Sequence, residues 1–355
     1  MMTLGEFKDK FDSTFSQFFD SKLQEIALES PHLRSTLESS RNMWIEGGKR
    51  IRPYLCMLAY TAYGGEDIQA ILYAGMSLEL LHVFALVHDD IIDQSETRRG
   101  YETLHVLLAR QHEKQALHGD PKHAGESLAV LIGDLLFSYA NEIVTHMSFP
   151  KDRVVSAQKL FYTIQQQLVL GEYEDVQVTS QLRGVTEQHV LTLMSKKSGR
   201  YSIEQPLQFG MLLAGQTEKF SQVAFKQFSE PLGIAFQLHD DMLGTFGDER
   251  AMGKPTDSDI RQGKPTLMVV HSLMNASGAT KDRLLSILGN QKAPAKDIGE
   301  ARQILRSTKS DVYAKKKAAE YITQAHTALR NMKQLPKELS ASLSVLADFI
   351  ISRTY

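Results

Sequence analysis

The segment Leu80 to Gly100 reads LLHVFALVHDDIIDQSETRRG. Its first part is apolar nearly all round a helix, which is the pattern of a helix enclosed by other helices. It then runs into Asp89, Asp90 and Asp93. At about 3.6 residues per turn, Asp89 and Asp93 stack on one face and Asp90 lies to the side. Stacked carboxylates repel each other. A hard cation removes that penalty, because oxygen ligands suit Mg²⁺, which completes its shell with water and phosphate oxygens. Arg98 and Arg99 follow, and their planar forks match phosphate. Three acids at a helix end are, by themselves, equally well a solvated terminus. The apolar helix before them tips the balance, since charges at the end of a buried helix need partners.

The same order recurs later. The helical run ending Phe236-Gln237-Leu238-His239 closes on Asp240-Asp241. Asp248 and a basic loop follow, from Gly253-Lys254-Pro255 to Gly263-Lys264-Pro265. Two carboxylate helix ends facing each other would hold a cluster of Mg²⁺ ions, and lysines and arginines around them would hold a diphosphate. Such a site stabilises a departing phosphate group.

Smaller signals fit around this pair. Gly47-Gly48-Lys49-Arg50-Ile51-Arg52-Pro53 places three cations at a helix start, either an anion site or a solvated connector. Glu172 and Asp175 share a helix face near Gly171, where they either support a metal or end a helix in solvent. Lys196-Lys197-Ser198-Gly199-Arg200 puts lysines and a helix-weakening glycine in an apolar region, which reads as an anion contact or a kink with snorkelling lysines. His112, His118 and His123 fall in Gln111 to Glu126, a polar stretch containing Gly-Asp-Pro that reads as a loop rather than a zinc site.

Apolar residues recur with helical spacing along nearly the whole chain, from Leu4 to Ala27 through to Ser340 to Ser352, without alternating strand patterns. No linker separates two compositions. The expectation is one all-α domain over residues 1–355, large enough at 42% hydrophobic content for a substantial core. A net charge of −2 with interspersed signs gives no reason to expect nucleic acid as a partner. The one cysteine, Cys56, excludes an internal disulfide, reads as a buried inert thiol and fits a reducing, cytoplasmic setting. The charged N-terminus is unlike a signal peptide, and no uninterrupted apolar stretch suggests a transmembrane helix.

Taken together, these residues resemble the trans-prenyl diphosphate synthases over nearly the whole chain. Gly47-Gly48-Lys49-Arg50 with Arg52-Pro53 resembles that family's isopentenyl diphosphate motif. Asp89-Asp90-Ile91-Ile92-Asp93 with Arg98-Arg99-Gly100 resembles its first aspartate-rich motif, Lys197-Ser198 its lysine–threonine motif, and Phe236-Gln237 with Asp240-Asp241 its second aspartate-rich motif. The resemblance implies a bundle of long helices around a central apolar cavity, of the isoprenoid synthase type. It implies that Asp89, Asp93 and Asp240 bind Mg²⁺, with Asp90 and Asp241 acting nearby. It implies that Arg98, Lys197, Gln237, Lys254 and Lys264 hold an allylic diphosphate, while Lys49, Arg52, His82 and Arg99 hold isopentenyl diphosphate. His82 also falls two turns below Asp89 on one helix face.

The implied reaction ionises the allylic diphosphate and joins it head to tail to isopentenyl diphosphate, with a proton then lost to the departed diphosphate. Chain length is read from Ala85 and Phe84, four and five residues before the first aspartate. Small Ala85 passes the tail and bulky Phe84 stops it later, which implies a C20 product, geranylgeranyl diphosphate. An ideal helix points Phe84 away from the metal face, so its role rests on the resemblance alone. Farnesyl or longer products are the alternatives within this class. The family is usually homodimeric. Two features depart from its pattern: Gly244 stands in place of a third aspartate, and Glu172 in place of glutamine. A class I terpene cyclase would not need the Gly47 to Pro53 loop, and a non-catalytic partner subunit would lose ligands that this chain retains.

Overall fold

The computed structural model describes residues 2–45, 48–98, 100–181, 184–219, 223, 225–247 and 256–351. The helices through the first half are α1 (Leu4–Glu29), α2 (Pro31–Ile45), α3 (Ile51–Ala62), α4 (Ile68–Ile92), α5 (Leu104–Lys114), α6 (Pro121–Thr145) and α7 (Lys151–Ser180). Then come α8 (Glu187–Met194), a π-helical segment (Ser195–Glu204) and α9 (Gln205–Leu213). The last part holds α10 (Lys226–Phe246), α11 (Ser258–Gln262), α12 (Leu267–Asn275), α13 (Gly278–Ile287), α14 (Ala295–Ser307), α15 (Ser310–Asn331) and α16 (Lys337–Ile351). The fold is all-α. The strand structure among the described residues is a two-residue pair, β1 (Thr97–Arg98) and β2 (Tyr101–Glu102), joined in antiparallel register. The sequence pattern, read for strands of four residues or more, missed so short a hairpin.

The chain divides into two compact units, residues 1–161 with 206–218, and residues 162–205 with 219–355. In the first, Phe7, Phe11, Phe15 and Phe19 repeat every fourth residue along α1 and are all buried. α4 packs on α3 and α6, and every residue from Ala74 to Leu81 is buried, as an all-apolar helix requires. Asp67 caps it by accepting from the Ala70 amide. Cys56 is fully buried, and burial pushes its thiol well above the ordinary value, so it is inert as expected. Gln111 to Glu126 is not one loop. Asp120 accepts from the His123 amide and Pro121 opens α6, so Asp-Pro here starts a helix. His112 is buried on α5, with Nε2 at 3.1 Å from the His118 carbonyl. By length and composition α4 and α6 are each able to cross a membrane, with 72% and 44% of their apolar windows buried inside the protein.

In the second unit α10 packs on α15 and on the π-helical segment. That crossing is close: a Cβ added at Gly233 would lie 2.1 Å from the Gly199 backbone. The anticipated kink at Gly199 is thus a π-helix, whose wider turn fits against α10. One apolar cluster joins Ile260, Met268, Leu284 and Leu305, and a second joins Leu191, Met194, Leu238 and Val270. The helical spacing that runs on through residues 298–329 is divided between two helices, α14 and α15, broken at Lys309, which takes a left-handed conformation at φ 56°.

Candidate active site

In the first unit the end of α4 carries the acids. Asp89 and Asp90 lie in the last helical turns, and Asp93 is the residue that closes the helix. Arg98, on β1, reaches back to the end of α4. Its Nε donates to Asp90 Oδ1 at 2.7 Å, and one terminal NH₂ donates to Asp89 Oδ2 at 2.9 Å. Burial disfavours the guanidinium charge, but Asp90 and Asp89 more than offset it and hold Arg98 above its usual value. Asp90 is buried, while Asp89 and Asp93 are half-buried.

Asp90 and Arg98 line a cavity with His82, Glu79, Val83, Leu86, Val87, Met43, Trp44 and Leu104. The lining mixes acids, a histidine and an arginine with apolar side chains, the two kinds of surface that a diphosphate with a hydrocarbon substituent would need. Phe84 is not among these residues. Its ring packs on Phe137 of α6 at 5.0 Å and on His88 at 4.6 Å; Ala85 is half-buried.

Lys49 is exposed and Arg52 half-buried at the start of α3. Arg50 is different. It is buried in a left-handed conformation, and it donates to Asp12 at 2.7 Å, to Glu79 at 2.6 Å, and to the Trp44 and Ile45 carbonyls at 3.0 and 2.6 Å. Of the three cations read as an anion loop, this one is held inside the protein.

In the second unit one cavity gathers Asp175, Lys197, Gln237, Asp241, Lys264 and Thr266 with Val190, Leu193 and Met194. These residues come from four separate parts of the chain. Lys197 Nζ donates to Glu172 at 2.9 Å and to Asp175 at 2.8 Å, and Lys264 stands 3.9 Å from Asp175. Burial works to raise the Asp175 carboxyl, but Lys264 and Lys197 hold it below the usual carboxylate value. Ser198 donates to the Gln237 amide oxygen, and the Gln237 amide nitrogen donates to Asp241, both at 2.8 Å. Asp241 is buried, and Asp240 is half-buried beside it on α10. These acids lie inside α10, which continues to Phe246.

Burial pushes Asp241 up to about 7, with Asp259 adding to the rise. Asp259 was missed in the sequence, where it sits among polar residues with no periodic signal. It also bears on Gly244, since a Cβ there would lie 3.2 Å from an Asp259 oxygen. Glu79 was missed for the opposite reason: its neighbours are apolar and it reads as an interruption of a core helix. Arg99, Lys254, Gly47 and Asp248 lie outside the described residues.

The chemistry of these groups fits a divalent cation. The acids offer oxygen only, and burial, with Asp259 adding to it, disfavours the Asp241 carboxylate, a cost that a cation beside it would remove. Among the described residues no three His, Cys, Asp or Glu side chains converge as a ready-made metal site.

The polyprenyl synthetase family model matches residues 34–305. A short chain isoprenyl diphosphate synthase of Methanocaldococcus jannaschii is 33% identical over 97% of this chain and 96% of its own length. A geranylgeranyl diphosphate synthase of Sulfolobus acidocaldarius is 31% identical over 97% and 98%. Among solved structures, a geranylgeranyl pyrophosphate synthase of Corynebacterium glutamicum, complexed with isoprenyl diphosphate and magnesium, superposes with a TM-score of 0.93. It is 27% identical and the match covers 99% of this chain and 100% of that one. With a family match across most of its length and full-length relatives above 30% identity, the chain belongs to the polyprenyl synthetase family and is a prenyltransferase.

Proposed function

We propose that the chain joins isopentenyl diphosphate head to tail to an allylic diphosphate, with Mg²⁺, and releases geranylgeranyl diphosphate. The observation that carries this reading is the second unit's cavity. Lys197, Gln237 with Asp241, and Lys264 come from three separate stretches and line one space together with the apolar Val190, Leu193 and Met194. A diphosphate ester of a hydrocarbon is the ligand that needs both. The C20 product is supported by the relative from Sulfolobus acidocaldarius.

In this reading Asp89, Asp93 and Asp240 hold Mg²⁺, with Asp90 and Asp241 beside them. When bound, Mg²⁺ neutralises diphosphate oxygens and so weakens the ester bond. Arg98, Lys197, Gln237, Lys254 and Lys264 bind the allylic diphosphate and stabilise the charge that builds as its C–O bond breaks. Lys49, Arg52, His82 and Arg99 bind isopentenyl diphosphate. Val83, Leu86 and Val87 give the first unit's cavity an apolar wall, the kind of lining that a hydrocarbon substituent needs. The proton lost from the joined product goes to the released diphosphate. Ala85 and Phe84 limit the chain. The whole of 1–355 acts as one catalytic domain, in a cytoplasmic homodimer without a transmembrane segment, and nucleic acid is not a partner.

A product assay tests this. Labelled isopentenyl diphosphate would be supplied with dimethylallyl, geranyl or farnesyl diphosphate and Mg²⁺, and the dephosphorylated products sized. The expected outcome is a Mg²⁺-dependent C20 alcohol, reduced at least about a hundredfold by Asp89→Ala. C15 or much longer products would overturn the chain-length reading and keep the reaction. No elongation from any starter would overturn the reaction, and a cyclised hydrocarbon would replace it with cyclase chemistry.

A further inference from the structure

Lys197 is held by two carboxylates of one helix face. Glu172 and Asp175 lie three residues apart on α7, and both accept from its Nζ, at 2.9 and 2.8 Å. Their neighbour Glu174 points elsewhere and pairs with Lys196 at 3.0 Å. An ammonium has three protons to donate, and here two go to these acids. Around this cavity Lys197 and Lys264 bring two positive charges, and Glu172 and Asp175 cancel both.

The two acids are not equivalent. Asp175 lines the cavity and faces both lysines, so it is fixed from two sides. Glu172 stands outside the lining residues, and among the described residues its ionic partner is Lys197. Its side chain is 22% exposed, so the pair it makes with Lys197 is partly open to solvent.

We propose that Glu172 is a restraint on Lys197 that an incoming allylic diphosphate must displace, and that it thereby sets the KM for the allylic substrate. The inference rests on the reading of Lys197 as a diphosphate ligand. The exchange breaks no covalent bond: one charge-assisted hydrogen bond of Lys197 passes from a carboxylate oxygen to a diphosphate oxygen. A restraint of this kind acts on the diphosphate and not on the tail. It therefore weakens dimethylallyl, geranyl and farnesyl diphosphates by one common factor and leaves isopentenyl diphosphate alone. It also favours release of the diphosphate product, because Glu172 returns to Lys197.

Glu172→Gln keeps the shape and an accepting oxygen but removes the charge. The expected result is a KM for all three allylic starters lowered by the same factor, roughly three- to tenfold, the size of a partly exposed ion pair. KM for isopentenyl diphosphate stays within about twofold, on the same scale. Inorganic diphosphate in Mg²⁺ buffer, measured by titration calorimetry, binds tighter by the same factor, a readout that needs no turnover. In a Lys197→Gln background the Glu172→Gln change has no further effect on either quantity. An unchanged or raised allylic KM overturns the restraint, as does an effect that persists without Lys197 or differs between starters. If the unsubstituted chain elongates no starter, the diphosphate reading itself fails, and the KM comparison is not what failed.

Discussion

Arg50 stands between Lys49 and Arg52, and the three look alike in sequence. Their environments are not alike. The Arg50 guanidinium is buried against Asp12 and Glu79 and closes the end of α2 through two carbonyls, while the Lys49 side chain is exposed. Local sequence marks a run of cations, but which of them turns inward depends on Asp12 and Glu79, 38 and 29 residues away. Arg50→Ala strands Glu79 as a buried charge without its guanidinium and is expected to cost about 3–5 kcal/mol, read as a fall in unfolding free energy in urea. Lys49→Ala should leave that free energy within about 0.5 kcal/mol. It should instead raise KM for isopentenyl diphosphate, by about tenfold for one lost phosphate contact. Had both substitutions behaved alike, the division of this motif into an inward Arg50 and an exposed Lys49 would be wrong. That Asp89 and Asp93 stand one helical turn apart was legible, by contrast, because it depends only on the helical period, and the Asp93 amide donates to the Asp89 carbonyl at 2.8 Å. Asp259 was not, because its approach to Asp241 is tertiary.

At the scale of elements, most helices were legible from spacing alone, and the misses have local causes. Asp120-Pro121 is an N-cap followed by a proline at the first helical position, yet its polar neighbours obscured it. The π-helical segment has no period that a 3.6-residue template detects; Gly199 read as a kink, and Gly233 carried no signal until the crossing with α10 was seen. Gly233→Ala forces its Cβ to within 2.1 Å of the Gly199 backbone, and backbone yields less readily than the end of a side chain. The expected cost is about 1–3 kcal/mol or more, together with lower activity as Lys197 moves with the segment, measured by melting and turnover on one preparation. α5 carries a second testable group. Burial lowers the His105 value, while Glu126 partly opposes it. The unfolded chain therefore binds a proton near pH 6.5 that folded His105 takes up only at lower pH, so stability is fully present above that range and falls as pH drops through it. Melting temperatures at pH 7.5 and 5.5 should show this loss, and His105→Asn should flatten the slope; an unchanged slope would remove His105 from the account.

At the scale of the molecule, the sequence supplied the class of fold and chemistry, because several motifs in order constrain far more than any one. It did not supply which surfaces remain uncovered, since that is known only once the helices are packed. α6 buries Ala129, Ile132 and Leu136 within its unit, yet Leu128, Val130 and Leu131 are exposed, Leu131 by 63%. A helix with apolar residues on its open side is expected to bury them against something. Two occupants fit: a second copy of the chain, which a two-fold axis would pair face to face, or a lipid surface, given that α6 is long and apolar enough for one. The proposed homodimer makes the first the expected answer, and a single substitution separates them. Leu131→Asp places a charge on the open face without touching the buried one. A dimer resting on this face should fall to half its mass in sedimentation equilibrium at micromolar concentration, with the circular dichroism of the helices retained. If instead the unsubstituted chain sediments as a monomer and floats with lipid vesicles, and Leu131→Asp releases it, the uncovered face belongs to a membrane and the homodimer is wrong.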